Sequence, residues 1–307
     1  MNHSPFFTNP KDQFLHDLQC NSKYKYLRYA KSPIRYPGGK SLGVGHILEH
    51  IPIGLDRLVS PFIGGASVEI ACANELNINV IGYDIFDILT NYWKIQLALP
   101  KGLYELLSSW RPVREQYDTI KSQLQLHWDQ EKIISDNLTL AAYYWFNHNL
   151  SYGPAFLGWV SEQYMTAGKY LRAIEKVRDF NCENLYVETA DFETVLYHHQ
   201  NEFLYCDPPY YLKDGQVFKG IYPSRNNPVF HNNFKHIRLR ELLHKHKGNF
   251  ILSYNDCETI RHWYREFDIY EVAWQYSMGQ GESRIGKNRQ GEQTHIKHSH
   301  ELLIVKS

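Results

Sequence analysis

The apolar residues of this chain fall into short segments that end in small or acidic residues, and this pattern constrains the fold most. Residues 58–61 and 80–84 are two such segments, and residues 66–76 between them have the composition of a helix. A strand, a loop, a helix and a strand in that order are typical of the beginning of a parallel α/β sheet. Similar segments return later in the chain, at residues 185–187, 203–206, 250–253, 269–272 and 302–305. The sequence therefore predicts an α/β fold with a mixed, mainly parallel sheet and helices on both faces.

Residues 95–182 interrupt this pattern. Leu103, Leu106 and Leu107 have helical spacing, as do residues 133–146, and no strand-like segment is obvious there. We interpret residues 95–182 as a helical insert, and residues 33–94 and 183–307 as the α/β domain that it divides. Residues 1–32 are polar and irregular, which indicates a partly ordered extension. A chain of 307 residues is long enough for one large domain with such an insert.

Composition excludes several classes of protein. Hydrophobic residues make up 43% and charged residues 21%, which is ordinary for a globular protein and excludes disordered and collagen-like chains. The five cysteines form no Cys-X-X-Cys pair, which favours free thiols in a reducing compartment over a disulfide scaffold. No basic start precedes an apolar run, and no apolar stretch approaches the roughly 20 residues of a membrane span. We therefore expect a cytoplasmic protein without a membrane partner.

The formal net charge is zero and the pI is about 7.3, so a nucleic-acid partner would need a local basic patch. Residues 211–247 supply one, because only Asp214 and Glu241 oppose eight basic residues: Lys213, Lys219, Arg225, Lys235, Arg238, Arg240, Lys245 and Lys247. If the partner is a nucleic acid, this segment suits contacts with its phosphates, which give affinity but read no sequence. A solvated helix with a basic face at residues 233–246 is the alternative. A second basic, glycine-containing stretch at residues 284–297 is predicted to be a mobile loop that becomes ordered on such a partner.

The predicted strand at residues 203–206 is directly followed by Asp207, Pro208, Pro209 and Tyr210. Ligands of α/β sheets bind at the carboxyl ends of strands, which is where these four residues lie. The two prolines fix φ and lack an N–H, so the carbonyls there are rigidly aimed. These residues suit one task, the activation of the N6 amine of adenine. That amine is a poor nucleophile because its lone pair is delocalised into the ring. An aspartate and a backbone carbonyl that accept its hydrogens would free that lone pair to attack a methyl group. A plain turn is the alternative, since Asp-Pro and Pro-Pro are common turn dipeptides.

A glycine-rich loop and an acidic residue also lie at predicted strand ends. Residues 61–69, Pro-Phe-Ile-Gly-Gly-Ala-Ser-Val-Glu, join the first strand to the helix, and glycines allow a backbone to approach a ligand closely. The loop lacks the full Gly-X-Gly-X-X-Gly spacing, so a tight turn is the alternative. Asp84 follows about twenty residues later at the end of the next strand, where a carboxylate can accept both hydroxyls of a ribose. A helix cap is the alternative for Asp84.

Two further patterns imitate other kinds of site. Residues 35–41, Arg-Tyr-Pro-Gly-Gly-Lys-Ser, end like a phosphate-binding P-loop, but Ile34 stands where that motif needs its first glycine. No predicted strand precedes this stretch, so we reject the P-loop. His295, His298 and His300 have a spacing that matches no metal site that we can justify, so we predict no metal.

Four motifs in order carry a family resemblance: Tyr-Pro-Gly-Gly-Lys at 36–40, the glycine-rich loop at 61–69, Tyr-Asp at 83–84 and Asp-Pro-Pro-Tyr at 207–210. The chain resembles the Dam-type (α-group) adenine-N6 DNA methyltransferases over residues 33–305. The resemblance implies a Rossmann-like methyltransferase fold with a target-recognition insert, S-adenosylmethionine (AdoMet) as methyl donor, and adenine in double-stranded DNA as substrate. It also implies base flipping, direct in-line transfer, a bacterial or phage origin, and a restriction endonuclease as a functional rather than a physical partner.

The resemblance assigns residues to the cofactor and to catalysis. It implies AdoMet contacts at Tyr36, Lys40, Phe62, Gly64, Ala66, Ser67, Asp84, Asp191, Phe192 and Asp207. The loop at residues 62–67 would hold the methionine end, Asp84 the ribose, and the pair Asp191 and Phe192 the adenine of the cofactor. The catalytic set that it implies is Asp207, Pro208, Pro209 and Tyr210, with Tyr210 stacked on the extruded base.

The DNA contacts are expected from two regions. Residues 146–153 resemble an asparagine-rich segment of the family's target-recognition region, although they depart from its usual Asn-Gly-Leu pattern. Together with the basic segment, they give the predicted DNA-binding residues Asn149, Tyr152, Lys213, Lys219, Tyr222 and Arg225.

Other substrates of the same chemistry are alternatives. Cytosine-N4 enzymes usually carry Ser in place of the aspartate and glutamine-modifying enzymes carry Asn, so Asp207 favours adenine without distinguishing DNA from RNA. A non-catalytic DNA-binding relative is an alternative of another class. The presence of Lys40, Asp84, Asp207 and Tyr210 together argues against it.

Overall fold

The structure, a computed structural model, describes residues 7–20, 25–211, 234–272 and 301–307. The predicted DNA-contacting residues Lys213, Lys219, Tyr222 and Arg225 lie outside these ranges, as does the predicted loop at residues 284–297. Within these ranges, every helix is too short or too polar to cross a lipid bilayer.

A mainly parallel seven-stranded sheet forms the centre of the protein. Its strands are β1 (Arg57–Ser60), β2 (Asn79–Asp84), β3 (Leu185–Thr189), β4 (Phe203–Cys206), β5 (Phe250–Asn255), β6 (Asp268–Val272) and β7 (Glu301–Lys306). They lie in the order β3-β2-β1-β4-β5-β7-β6. The pairs among β1 to β5 are parallel, whereas β7 is antiparallel to β5 and β6. Each predicted strand is present, and the predicted mixed sheet is confirmed.

Eleven helices among the described residues surround this sheet: α1 (Pro10–Leu18), α2 (Val44–Glu49), α3 (Ser67–Glu75), α4 (Asp87–Ala98), α5 (Pro100–Ser108), α6 (Arg114–Trp128), α7 (Asn137–Leu150), α8 (Ala167–Arg178), α9 (Phe192–His198), α10 (His236–Lys245) and α11 (Glu258–Trp263). Successive strand residues point to opposite faces of a sheet. Leu58 of β1 accordingly packs in one apolar cluster with helices α1 to α8, and Val59 packs in a second cluster with α9 to α11. Helices therefore cover both faces, as predicted.

The N-terminal extension contains a docked helix, which the sequence interpretation missed. Asn9 caps α1 by accepting a hydrogen bond from the Asp12 amide at 2.9 Å, and Pro10 occupies the first turn. The apolar side of the helix buries Leu15 and Leu18. Its polar side holds Lys11, whose ammonium donates to two carbonyls at the end of α2 at 2.7 Å and 2.6 Å. The cap, the narrow apolar face and the Lys11 hydrogen bonds together hold this helix in place.

The insert between β2 and β3 is helical, but it shares the core of the sheet. Leu103, Tyr117 and Trp145 belong to the same apolar cluster as Leu58 of β1. The helix predicted at residues 133–146 instead runs as α7 from 137 to 150, because Asp136 accepts from the Thr139 amide at 2.9 Å and caps it there. The division of the chain at residues 95 and 182 stays a prediction, and α4 already begins before it.

Candidate active site

Two motifs far apart in the sequence meet at the carboxyl ends of the parallel strands. Asp207 follows the last residue of β4, and the Lys40 ammonium lies 2.6 Å and 2.7 Å from its two carboxylate oxygens. Lys40 is only 4% exposed and also donates to the Gly38 carbonyl at 3.1 Å. The Tyr-Pro-Gly-Gly-Lys segment therefore supplies a buried cation to the Asp-Pro-Pro-Tyr motif.

Two more buried carboxylates surround this ion pair. Glu69 of α3 accepts a hydrogen bond from the Ser60 hydroxyl at 2.6 Å, and Glu301 of β7 accepts one from the Tyr210 hydroxyl. Burial raises the pKa of Glu69 to about 7 and that of Glu301 to about 7. Burial works against the charge of Lys40, but Asp207 and Glu301 outweigh it and raise the pKa of the lysine. Three carboxyl groups, of Asp207, Glu69 and Glu301, thus lie around one ammonium group in this cluster.

The glycine-rich loop is shaped by Tyr36. A Cβ added to Gly64 would lie 2.8 Å from Cε1 of Tyr36, and one added to Gly65 would lie 2.5 Å from its Cβ. The loop has left-handed backbone at Gly64, with φ of 44°, and at Ala66, with φ of 54°. The indole of Trp93 donates to the Gly64 carbonyl at 2.9 Å and holds the loop in place. Glycine is therefore required here because an aromatic ring of the first motif rests on the loop.

Asp84 lies at the end of β2 and faces the same loop. Its carboxylate accepts the Gly64 amide at 3.3 Å and the Phe86 amide at 3.0 Å. Burial raises the pKa of Asp84 to about 6, and these amides oppose that rise. Each carboxylate oxygen has more than one lone pair, so Asp84 retains acceptor capacity for a ligand hydroxyl. Ser67, which begins α3 in this loop, is buried.

Three phenylalanines form an aromatic group beside the loop. The ring centroid of Phe62 lies 5.8 Å from that of Phe192 and 5.6 Å from that of Phe234, and the last two are 5.2 Å apart. Asp191 caps α9 by accepting the Glu193 and Thr194 amides at 2.8 Å and 3.1 Å. The cap sets the position of Phe192, and the role of Asp191 at a cofactor stays a prediction. No pattern in the sequence indicated Phe234.

The tyrosine of the Asp-Pro-Pro-Tyr motif contacts Lys40 and two residues that sequence reasoning gave no role, Glu301 and Tyr254. Besides its hydroxyl contact with Glu301, Tyr210 has its ring centroid 5.2 Å from the Lys40 ammonium and 6.4 Å from the ring of Tyr254. The Asn255 amide donates to the carbonyl of Tyr211 at 2.8 Å. Glu301 directly precedes the predicted strand segment at residues 302–305, and this position is the signal that could have identified it.

The asparagine-rich segment supports the site from inside the protein. Asn149 is 3% exposed, its amide oxygen accepts from the Arg35 amide at 2.9 Å, and its nitrogen donates to the Trp145 carbonyl at 3.0 Å. His148 stacks on Tyr36 with ring centroids 5.7 Å apart. Tyr152, beyond the end of α7, is 55% exposed. The DNA contacts of Asn149 and Tyr152 stay predictions, and the buried position of Asn149 indicates a supporting role.

The cysteines and histidines are the remaining candidates for a site. All five cysteines carry free thiols. Within the described ranges, no three His, Cys, Asp or Glu side chains are grouped as metal ligands. His295, His298 and His300 lie outside those ranges.

Two known proteins are similar to this chain in sequence. The Type II methyltransferase M.FokI of Planomicrobium okeanokoites is 25% identical over 291 residues, which are 87% of this chain and 43% of that protein. Modification methylase StsI of Streptococcus sanguinis is 24% identical over 264 residues, 78% of this chain and 37% of that protein. The chain thus spans less than half the length of both relatives.

A solved structure, a precorrin 8W decarboxylase of Methanobacterium thermoautotrophicum, shares 11% identity over 91% of this chain and 97% of that one. Its TM-score of 0.35 is too low to bear on fold or function. The family model of the D12 class N6 adenine-specific DNA methyltransferases matches residues 36–278, which contain the lysine, glycine, aspartate and Asp-Pro-Pro-Tyr motifs. The chain therefore belongs to the D12 class N6 adenine-specific DNA methyltransferase family.

Proposed function

We propose that this chain transfers a methyl group from AdoMet to N6 of adenine in double-stranded DNA. The observation that carries the proposal is the contact of Lys40 with Asp207 at the carboxyl edge of the sheet, beside the glycine-rich loop. Membership of the family supports the reaction. The relatives are named as a Type II methyltransferase and a modification methylase, so we expect a restriction endonuclease with the same target as a functional partner.

The residues at the site fit AdoMet. The excess of buried carboxyl groups around Lys40 suits a ligand that carries a sulfonium and an ammonium group. The loop from Phe62 to Ser67 would hold the methionine end, and Asp84 has acceptor capacity for the ribose hydroxyls. Phe62 and Phe192 offer apolar ring surfaces for the adenine of the cofactor. When bound there, AdoMet supplies an electrophilic methyl group.

The residues of the catalytic motif orient the attacking amine. Asp207 keeps free lone pairs beside its contact with Lys40, so its carboxylate can accept one N6 hydrogen. The carbonyl of Pro208 accepts the other, and the prolines hold it in place. The lone pair of N6 is then available for in-line attack on the methyl group. Positive charge that develops on the nitrogen is stabilised by these preorganised acceptors, and one proton leaves to solvent.

The target base must leave the duplex before it reaches this edge of the sheet, because a methyl donor cannot approach N6 within the helix. Tyr210 is the ring on which we expect the flipped adenine to stack. The tyrosines Tyr152 and Tyr222 and the basic residues Lys213, Lys219 and Arg225 would contact the surrounding DNA. Phosphate contacts of this kind predict affinity that falls steeply as the salt concentration rises.

Transfer of labelled methyl groups tests the proposal. Unmethylated genomic DNA is incubated with labelled AdoMet and wild type, Asp207→Ala or Asp17→Ala, and the DNA is digested to nucleosides. Asp17 is a matched control because its side chain is 64% exposed on α1. We expect label in N6-methyldeoxyadenosine with wild type and the control, and at least about a 100-fold loss with Asp207→Ala.

Other distributions of label would overturn parts of the proposal. Label in cytosine, or in RNA only, would contradict the substrate. AdoMet binding without label in any nucleic acid would favour the non-catalytic relative.

A further inference from the structure

Glu301 reaches the active site by the reversal of one strand. Because β7 is antiparallel to β5, its first residue lies at the edge where the parallel strands end. Glu301 pairs there with Asn255 of β5 and Val272 of β6, and it is 2% exposed. It lies beyond residues 36–278, the part that the family model matches.

A carboxyl group in this position needs partners, because burial without them is strongly unfavourable. One oxygen of Glu301 accepts the Tyr210 hydroxyl, and the other is buried with no hydrogen-bond partner among the described residues. The nearby Lys40 ammonium attracts its charge. The contact with Tyr210 is therefore the one directed hydrogen bond that the side chain makes in the described part of the chain.

The four-residue catalytic motif is thus held at both ends. Lys40, from before the sheet, contacts Asp207 at its beginning, and Glu301, from the last strand, contacts Tyr210 at its end. A tyrosine ring can rotate and tilt about two side-chain torsions, and a fixed hydroxyl removes that freedom. The plane of the ring then has a defined orientation relative to the Asp207 carboxylate.

We propose that Glu301 is a positioning residue for methyl transfer, which fixes the Tyr210 ring so that the stacked base presents its amine to Asp207. This inference rests on the proposed function. A purely structural role in the strand, or a role only as a counter-charge for Lys40, is the alternative. A misplacement of about 1 Å in a reacting group can lower a rate by about 100-fold, so the effect should be measurable.

Four variants separate these roles: Glu301→Ala, Glu301→Gln, Tyr210→Phe, and the double variant of Glu301→Ala with Tyr210→Phe. The Gln variant keeps an oxygen that accepts the hydroxyl but loses the charge. We expect kcat to fall about 10- to 100-fold for Glu301→Ala and to stay within about 3-fold for Glu301→Gln. The double variant should be no slower than the slower single variant, because both remove the same contact.

The dissociation constant for AdoMet is measured by calorimetry for each variant, so that kcat is compared at saturating cofactor and a change in cofactor binding is kept apart from the transfer step. Thermal unfolding checks that each variant is folded. Glu271→Ala on the neighbouring strand β6 is the control, since its side chain is 71% exposed.

Each outcome has a distinct meaning. A wild type that transfers no methyl group overturns the proposed function and this inference with it. An active wild type with an equally active Glu301→Ala overturns the inference alone. If Glu301→Gln is folded but as slow as Glu301→Ala, the effect comes from the charge of Glu301. If the losses are additive in the double variant, Glu301 and Tyr210 act independently. Either result overturns the positioning role.

If Glu301→Ala does not fold, Glu301→Gln and Tyr210→Phe decide. A fast Gln variant with a slow Phe variant supports the inference, and any other combination overturns it.

Discussion

Two aspartates occupy equivalent places in this sheet and are held in opposite ways. Asp84 is the last residue of β2 and Asp207 follows β4, so both lie at the carboxyl edge. The Asp84 carboxylate is held by main-chain amides, of Gly64 at 3.3 Å and Phe86 at 3.0 Å. Asp207 is held by one side chain, Lys40, which comes from a segment 167 residues earlier.

The difference separates the site into two halves. Main-chain geometry builds the half around Asp84, because the strand ends and the glycine-rich loop bring the amide donors with them. Buried side-chain charge builds the half around Asp207, and it depends on few atoms. We expect changes in the first half to alter cofactor binding, and changes in the second half to alter the transfer step.

The largest effect is expected from Lys40→Met. Removal of one partner of a buried ion pair leaves an uncompensated charge, at a cost of about 3–5 kcal/mol. Asp207 would then take up a proton or move, and it would accept the N6 hydrogen poorly. We expect single-turnover methyl transfer at saturating AdoMet to fall by about 100-fold or more.

Lys94→Met is the control for that substitution, because Lys94 makes an ion pair whose side chains are 46% and 62% exposed. Exposed pairs of this kind contribute about 1 kcal/mol or less. Transfer by Lys40→Met within 3-fold of wild type would break the comparison, since the catalytic half would then not depend on this lysine.

Asp84→Asn should produce the opposite kind of change. An Asn amide directed at the Gly64 amide would set a donor against a donor, and it would remove an acceptor for the ribose. We expect the dissociation constant for AdoMet, measured by calorimetry, to rise about 10-fold or more, while kcat at saturating AdoMet stays within about 3-fold. A loss of kcat that exceeds the loss of affinity would contradict a division into two halves.

The strand ends were predictable because the apolar strand segments are short and end in small or acidic residues. Leu58 and Val59 are both buried, one on each face, and a strand covered on both faces is apolar throughout. The motif residues at those ends follow directly, so the sequence alone places Asp84 and Asp207 at one edge.

Contacts across the sheet were not predictable in the same way. The approach of Lys40 to Asp207, and of Glu301 to Tyr210, depends on strand order and on the reversal of β7, which a single sequence does not specify. Phe234 joins Phe62 by the same kind of tertiary contact. In α1, by contrast, Asn9 and Pro10 are ordinary helix-start signals, and the polar composition of the segment hid them.

Gly65→Ala tests the half that the main chain builds. The added Cβ would lie 2.5 Å from Cβ of Tyr36, so the loop or the ring must shift. We expect a loss of about 1–3 kcal/mol in the free energy of unfolding, measured by denaturant titration, and weaker AdoMet binding. In Gly102→Ala the nearest atom, of Leu138, is 4.0 Å away and the residue lies in α5, so stability should rise or stay unchanged. Equal stability of the two variants would show that Tyr36 yields without cost.

The smallest effect is a pH dependence in the half built by charge, and Glu69→Gln isolates it. Burial raises the pKa of Glu69 to about 7 in the folded protein, above the 4.5 of an exposed glutamate. The folded state therefore holds this proton more tightly, so ionisation destabilises the protein increasingly as pH rises from about 4.5 through 7 and fully above it. Gln cannot ionise, and its amide oxygen still accepts the Ser60 hydroxyl. The Tm of Glu69→Gln relative to wild type should consequently be higher at pH 8 than at pH 6, by a few °C for about 1 kcal/mol.

Glu188→Gln is the control, because the Glu188 side chain is 62% exposed, and it should show no such change. A Tm difference between Glu69→Gln and wild type that is constant from pH 6 to pH 8 would mean that Glu69 ionises as freely as a surface residue.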